Sequence, residues 1–203
     1  MKATLKRRVS RGRPRAFEVE EALDCALQVF WRKGYEGASL SDLTDAMGIN
    51  RPSLYSAFGN KEALFRKALQ RYIEGPAKYI DVALSQPTAR QVAEGMFDGL
   101  IQLLTNPRYP GGCLIVQCAL TCGDEARVIR DQLLERRLKV EELLRRRLEK
   151  SRKNGDLGKS SSPAELSRYI TTVMRGLAVR ASDGATRAEL QRDAEMAMRA
   201  WPR

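Results

Sequence analysis

"GINRPSLYSAFGNKEALF", residues 48–65, decides the fold. Gly48 closes one helix and Ile49 plugs the turn. Asn50 offers a side-chain oxygen to cap the next helix, with Arg51 and Pro52 in the first turn, where proline is tolerated. Leu54 and Phe58, at i, i+4 spacing, point inward. Gly59 ends this short helix and Asn60 caps again. "KEALFRKALQRYIEG" then runs on through Ala63, Leu64, Ala68 and Leu69 to Gly75-Pro76. The chain thus sets a basic residue, a proline and hydroxyls on the outer face of a very short helix and restarts at once.

The helical pattern extends in both directions. Upstream, Phe17, Leu23, Ala26, Leu27, Phe30 and Trp31 share one broad face until "KGYEG" interrupts at Gly34 and Gly37. Ser39 opens a second helix. Ser39-Leu40-Ser41-Asp42 reads as a capping box with an acid at its fourth position, and Leu40, Leu43 and Met47 supply the inward face. Downstream, "TARQVAEGMFDGLIQLLT" aligns Val92, Met96, Leu100 and Leu103/Leu104, "NPRYPGG" is a loop, and "CLIVQCALTC" is apolar nearly all round. A long charged helix from Asp124 to Lys153 has a narrow seam of Val128, Leu133/Leu134, Leu138 and Leu144, and its 135–153 segment reads as a solvated face. After the loop "NGDLGKSSSP", Leu166, Tyr169, Ile170, Val173, Met174 and Leu177 mark an amphipathic helix. A last helix spans Thr186 to Trp201 through Leu190, Ala194 and Ala197. No stretch alternates at period two, so the expected class is all-α.

Composition narrows the function. Among 203 residues, 36 Lys or Arg against 25 acids give a net charge of +11, which favours a polyanionic partner. There is no histidine, which removes the usual general base and the Ser-His and Cys-His dyads. No glycine-rich phosphate loop or paired carboxylates replace it, so no enzyme and no cofactor are expected. The four cysteines lack the spacing of a zinc site. Without a signal-like apolar segment after the basic N-terminus, or an apolar run long enough for a bilayer, the expectation is a cytoplasmic protein with free thiols and no membrane partner.

Helix, glycine turn, helix is the pattern of a helix-turn-helix, whose second helix enters the DNA major groove. With Leu54 and Phe58 turned inward, Arg51, Pro52, Ser53, Tyr55 and Ser56 face out. Arg51 has the fork to read guanine, Ser53 bonds base or phosphate, and Pro52 presses on a thymine methyl. Tyr55 reaches phosphate, and Lys61 sits at a helix N-terminus that already favours an anion.

"GYEGASLSDLTDAMGINRPSLYSAFGNKEALFRKAL" resembles the N-terminal domain of the tetracycline-repressor (TetR/AcrR) family of bacterial transcription regulators, over residues 16–72. The resemblance implies an all-α homodimer, a three-helix DNA-reading head joined by a fourth helix to a ligand-binding body, and repression released by a small molecule. By position it implies that Ser39 and Thr44 lie near the DNA backbone, that Arg51, Pro52, Ser53 and Ser56 read bases, and that Tyr55 and Lys61 hold phosphates. "GNK" departs from the serine or proline common before this lysine, but Asn60 preserves the cap. The corresponding divisions are a disordered basic arm over 1–15, a DNA-binding domain over 16–75 and a ligand-binding and dimerisation domain over 76–203.

The arm carries seven Lys or Arg and no acid, and Arg13-Pro14-Arg15 after Gly12 resembles the core of an AT-hook. Arg11, Arg13 and Arg15 are therefore candidate contacts to a narrow minor groove or its phosphates. In the body, Cys113 falls at a helix start, where an anion is favoured, and "GGCLIVQCALTC" resembles the "GCL" segment of a subgroup with thiol sensors. A sensing Cys113 and a merely buried set of Cys113, Cys118 and Cys122 both stay open. The candidate ligand pocket lies between the helices of residues 88–105 and 112–122 and the long helix after them, lined by Met96, Phe97, Leu100, Tyr109, Cys113 and Gln117. The last two helices, 163–201, suit a two-fold four-helix interface. The expected partners are thus double-stranded DNA with an inverted repeat, a second copy of the chain, and an unidentified small-molecule effector. The competing reading is architectural DNA binding without sequence preference, driven by charge and arm alone.

Overall fold

The computed structural model describes residues 15–121, 123 and 126–202. Among these the chain is all-α, without a strand. The head comprises α1 (Arg15–Gly37), α2 (Leu40–Met47), α3 (Arg51–Phe58) and α4 (Lys61–Glu74). A 3-10 turn at Pro76–Lys78 leads to the body, made of α5 (Tyr79–Leu84), α6 (Ala89–Leu104), α7 (Leu114–Thr121), α8 (Arg127–Lys153), α9 (Pro163–Ser182) and α10 (Arg187–Met198). Arg11 and Arg13, the rest of the arm before Arg15, the side chains of Arg15 and Phe17, and Cys122 lie outside the described residues.

Local signals explain the head. Regular helix in α1 breaks at Gly34, with φ 72° and ψ 177°. Ser39 and Asp42 form the expected reciprocal cap on α2. Gly48 then turns the chain in the left-handed region, at φ 64°, which a side chain would strain. At eight residues α2 and α3 are too short to persist alone, so packing has to hold them. Leu43, Leu54, Leu64 and Phe65 are fully buried beneath Phe30 and Trp31 of α1. Burial of each such side chain contributes about 1.5–3 kcal/mol. Phe30 meets Phe65 edge-on at 5.0 Å, and Arg71 of α4 reaches Glu20 at 2.6 Å and Asp24 at 2.8 Å on α1.

The head's core does not stop at Pro76. It takes in Leu114 and Cys118 of α7 and Ile129 and Leu133 of α8. A second core joins α6 to α9 and α10 through Val92, Met96, Leu100, Ile170, Leu177 and Leu190. The short α5 lies on α6, where Tyr79 packs against Gly99, and has no counterpart in the sequence reading.

Two expectations for the long helix are corrected. It buries Ile129, Leu133, Leu144 and Leu148, whereas Val128, Leu134 and Leu138 of the expected seam are exposed. Nor is its charged half wholly solvated. Arg147 donates to the carbonyls of Leu84 (3.1 Å), Gln86 (2.6 Å) and Pro87 (3.0 Å), tying α8 to the α5–α6 connection.

Candidate nucleic-acid interface and ligand cavity

The outer face of α3 is fixed from both ends. Asn50 Oδ1 accepts from the Ser53 amide at 2.8 Å, and the Gly59 amide donates to the Tyr55 carbonyl at 2.9 Å. Asn60 caps α4 through the Ala63 amide at 2.7 Å. With Leu54 and Phe58 buried, Arg51, Pro52, Ser53, Tyr55 and Ser56 are all exposed, Tyr55 at 48%. The Arg51 guanidinium donates to the Ser41 hydroxyl of α2 at 3.0 Å, which keeps it on the same outer side. These groups sit around a helix N-terminus whose dipole favours anions, and no acid occupies that first turn.

Flanking residues divide. Ser39 is exposed, and its hydroxyl accepts from the Asp42 amide at 3.0 Å. The Asp42 carboxyl is lowered to about 2, first by the hydrogen bond from Lys33 Nζ and then by the Ser39 amide. Lys61 lies over the Tyr35 ring at 4.7 Å and donates to the Glu36 carbonyl at 3.4 Å. Thr44, the other residue expected near the DNA backbone, is largely covered. It is 7% exposed, and its hydroxyl donates back to the carbonyls of Leu40 (2.9 Å) and Ser41 (3.1 Å), so it stabilises α2 from within.

A cavity of about 80 Å³ opens in the body between α5, α6, α8, α9 and the start of α7. Ile80, Leu100, Val116, Val140 and Met174 wall it, and Cys113, Arg136, Arg137 and Arg175 supply its polar groups. Of the six residues expected to line a pocket, only Leu100 and Cys113 meet there. Met96 and Phe97 are core, at 0% and 1% exposure, because α6 is covered on both sides. Tyr109 stacks on Trp31 at 5.2 Å. Gln117 donates to the Gly111 carbonyl at 3.1 Å and the Ser182 hydroxyl at 3.0 Å. The three arginines escaped the sequence reading because they sit in or beside charged helical stretches that look solvated; nothing in their spacing marks them. A larger groove of about 620 Å³ between α6 and α10 is edged by Arg90, Glu94, Asp98 and Glu195. The walls of the smaller cavity better match the apolar lining of small-molecule sites.

The cavity and the head share structural parts. Cys113 Sγ lies 3.3 Å from the buried Tyr72 hydroxyl of α4, whose ionisation burial pushes well up, so the phenol stays neutral. The next residue but two of α7, Val116, faces the cavity, while Leu114 and Cys118 enter the head's core. Trp31 of α1 donates its indole N–H to the Gly112 carbonyl at 3.0 Å.

Comparison with known proteins agrees with this geometry. Residues 22–68 match the family described as bacterial regulatory proteins, tetR family, and residues 87–201 match the tetracyclin repressor-like C-terminal domain. The chain is 31% identical to the HTH-type transcriptional repressor ComR of Escherichia coli (strain K12) over 195 residues, covering 95% of this chain and 93% of ComR. It is 38% identical to the HTH-type transcriptional repressor BdcR of the same organism over 102 residues, about half of each chain (50% and 51%). Among solved structures it superposes with a TM-score of 0.88 on a cysteine mutant of the TetR-family transcriptional regulator CifR, complexed with 26-bp double-strand operator DNA. That match has 43% identity and covers 94% of this chain and 100% of the other. With both parts of the chain matched, and a relative aligned nearly end to end, this protein belongs to the tetR family of bacterial regulatory proteins.

Proposed function

We propose that two copies of this chain bind an inverted-repeat operator through α3 and repress transcription until a small molecule enters the cavity beside Cys113. One observation carries the reading. The outward side chains of α3 are held on a helix capped at both ends, and among the described residues the Arg51–Ser41 hydrogen bond is the one side-chain bond that ties them elsewhere. Arg51, Pro52, Ser53 and Ser56 then face base edges, with Tyr55, Ser39 and Lys61 toward phosphates and Thr44 acting only through its own helix. Arg11, Arg13 and Arg15 would add minor-groove or phosphate contacts. Support comes from ComR, named a repressor, and from CifR, solved with operator DNA. Dimerisation through α9 and α10 is supported by apolar residues left outward on both: Tyr169, Val179 and Met196 are 38%, 41% and 60% exposed.

Induction follows from α7. An occupant of the cavity pushes on the segment holding Cys113 and Val116, and the same segment is seated on α1 and α4. Moving it tilts the two heads away from the spacing of about 34 Å that successive major grooves require. A thiol-reactive effector is the second reading, favoured by Cys113 lining the cavity while Cys118 is wholly buried. It fails if Cys113→Ser leaves the response to oxidants and quinones unchanged in a reporter strain.

Electrophoretic shift on DNA upstream of the chain's own gene tests the main reading. One inverted repeat should be bound sharply and with strong salt dependence. Equal affinity for random DNA would instead favour architectural binding by charge alone.

A further inference from the structure

Among the described residues Arg137 is the guanidinium in the cavity wall that keeps a buried N–H without any partner. Its Nε is buried and has no hydrogen-bond partner, and no ion pair reaches it among the described residues. Glu141, one turn along α8, is engaged elsewhere: its carboxylate accepts from the Thr171 hydroxyl at 3.1 Å and pairs with Arg175 at 3.4 Å. Arg136 lies toward Gln70 at 3.4 Å. Arginine does not discharge under ordinary conditions, so this is a standing cation in a partly desolvated place. Burial, followed by the neighbouring Arg175, pushes the Arg137 guanidinium below its usual range. A buried donor with no acceptor is costly and calls for a counterpart.

From this unmatched cation, the apolar walls and the small volume, we infer that the effector is a short-chain monocarboxylate, its carboxylate on Arg137 and its alkyl tail against Leu100, Val116, Val140 and Met174. The volume of about 80 Å³ suits a small occupant. At about 10–15 Å³ for one water-sized group, it admits about six non-hydrogen atoms. A molecule the size of butyrate fits that space. A planar carboxylate matches the fork of a guanidinium, with two parallel N–H donors. The inference rests on the cavity being the effector site, as proposed above.

The test is isothermal titration of the full-length protein with sodium butyrate and with its neutral isostere butyramide. Butyrate should bind at least tenfold more tightly. Arg137→Met should abolish that preference, and Arg137→Lys, which keeps the charge, should retain it in part. Arg146→Met, at an exposed position of α8 outside the cavity, should change butyrate affinity less than threefold. Arg137→Met should also melt about 2–4 °C higher than the parent, since an unpaired buried cation has been replaced by an apolar chain of similar length. Equal affinity for the amide, or undiminished butyrate binding in Arg137→Met, overturns the inference. So does dissociation of the Arg137→Met dimer in sedimentation, because the cation would then serve an interface. Operator binding is measured alongside, without ligand. A protein that shifts the operator but ignores butyrate refutes the carboxylate site and leaves the regulator reading standing. One that binds butyrate but no operator refutes the regulator reading and leaves the site standing.

Discussion

Trp31→Phe is the substitution that most directly probes how the head is fastened to the body. Trp31 is fully buried, meets Tyr72 edge-on at 4.8 Å and stacks on Tyr109 at 5.2 Å. Its N–H is the donor to the Gly112 carbonyl at 3.0 Å. Phenylalanine keeps a ring in place but strands that carbonyl, at a cost of about 1–3 kcal/mol. A void of roughly 40 Å³ adds about 1 kcal/mol at about 24 cal/mol per Å³. Together these give about 2–4 kcal/mol, and at about 2–4 °C per kcal/mol for a chain of this size the melting temperature should fall by about 4–16 °C. Gly112 has no easy way to compensate. Its φ is +82°, and a side-chain carbon there would lie 2.3 Å from Gln117 Nε2 and 2.4 Å from Ser182 Oγ, so the loop is confined. Thermal unfolding followed by circular dichroism reads the first effect. Amide exchange across residues 109–121 reads the second, where protection should drop first. A melting temperature within 2 °C of the parent, with exchange in α7 unchanged, would refute the claim that this bond anchors the segment.

Other outcomes follow from the same contacts. Gly99→Ala should lower stability by about 1–3 kcal/mol, because the new carbon would stand 2.5 Å from Tyr79 Cδ2 and 2.7 Å from its Cβ; a melting curve matching the parent's would mean α5 is not pressed on α6. Asp42 gives a pH signature. Its folded-state ionisation is depressed to about 2, so its contribution is complete above the ordinary carboxylate range and disappears as pH falls from about 4 through about 2. Two-dimensional NMR of the α2 amides should show that transition, and Asp42→Asn should remove it. Arg71→Ala should cost under about 1 kcal/mol by chemical denaturation, since its pairs with Glu20 and Asp24 are 40–56% exposed and solvent-screened.

The sequence spoke most clearly where the forces are local. Ser39, Asn50 and Asn60 cap as their positions predict, since a cap depends only on residues within one turn. Leu54 and Phe58 face inward for the same reason: in a helix this short, only one pairing buries both. The long α8 was less legible. Leu133/Leu134 sit at neighbouring positions and either face of the helix has candidates, so the choice is made by packing partners: Ile129 and Leu133 join the head's core, and Leu144 and Leu148 join the core of α6, α9 and α10. The six-residue α5 is too brief to show a period. Resemblance alone places Thr44 near the DNA backbone, and nothing local in the sequence shows that its hydroxyl is satisfied by its own helix. For Met96 and Phe97 the sequence leaves pocket lining and plain core both open, because nothing local says that α6 is covered on two sides. Arg137 differs from its arginine neighbours in nothing but what packs around it.

The most direct measurement is operator affinity of Arg51→Ala and Tyr55→Phe against the parent, by fluorescence anisotropy on one inverted repeat and on scrambled DNA, with circular dichroism to confirm the fold. Loss of a base-reading arginine should weaken specific binding by about 1–3 kcal/mol per half-site while leaving scrambled DNA nearly unaffected. Tyr55→Phe should weaken both sequences alike. If the two variants keep parental affinity and discrimination, the exposed face of α3 is not what meets the duplex.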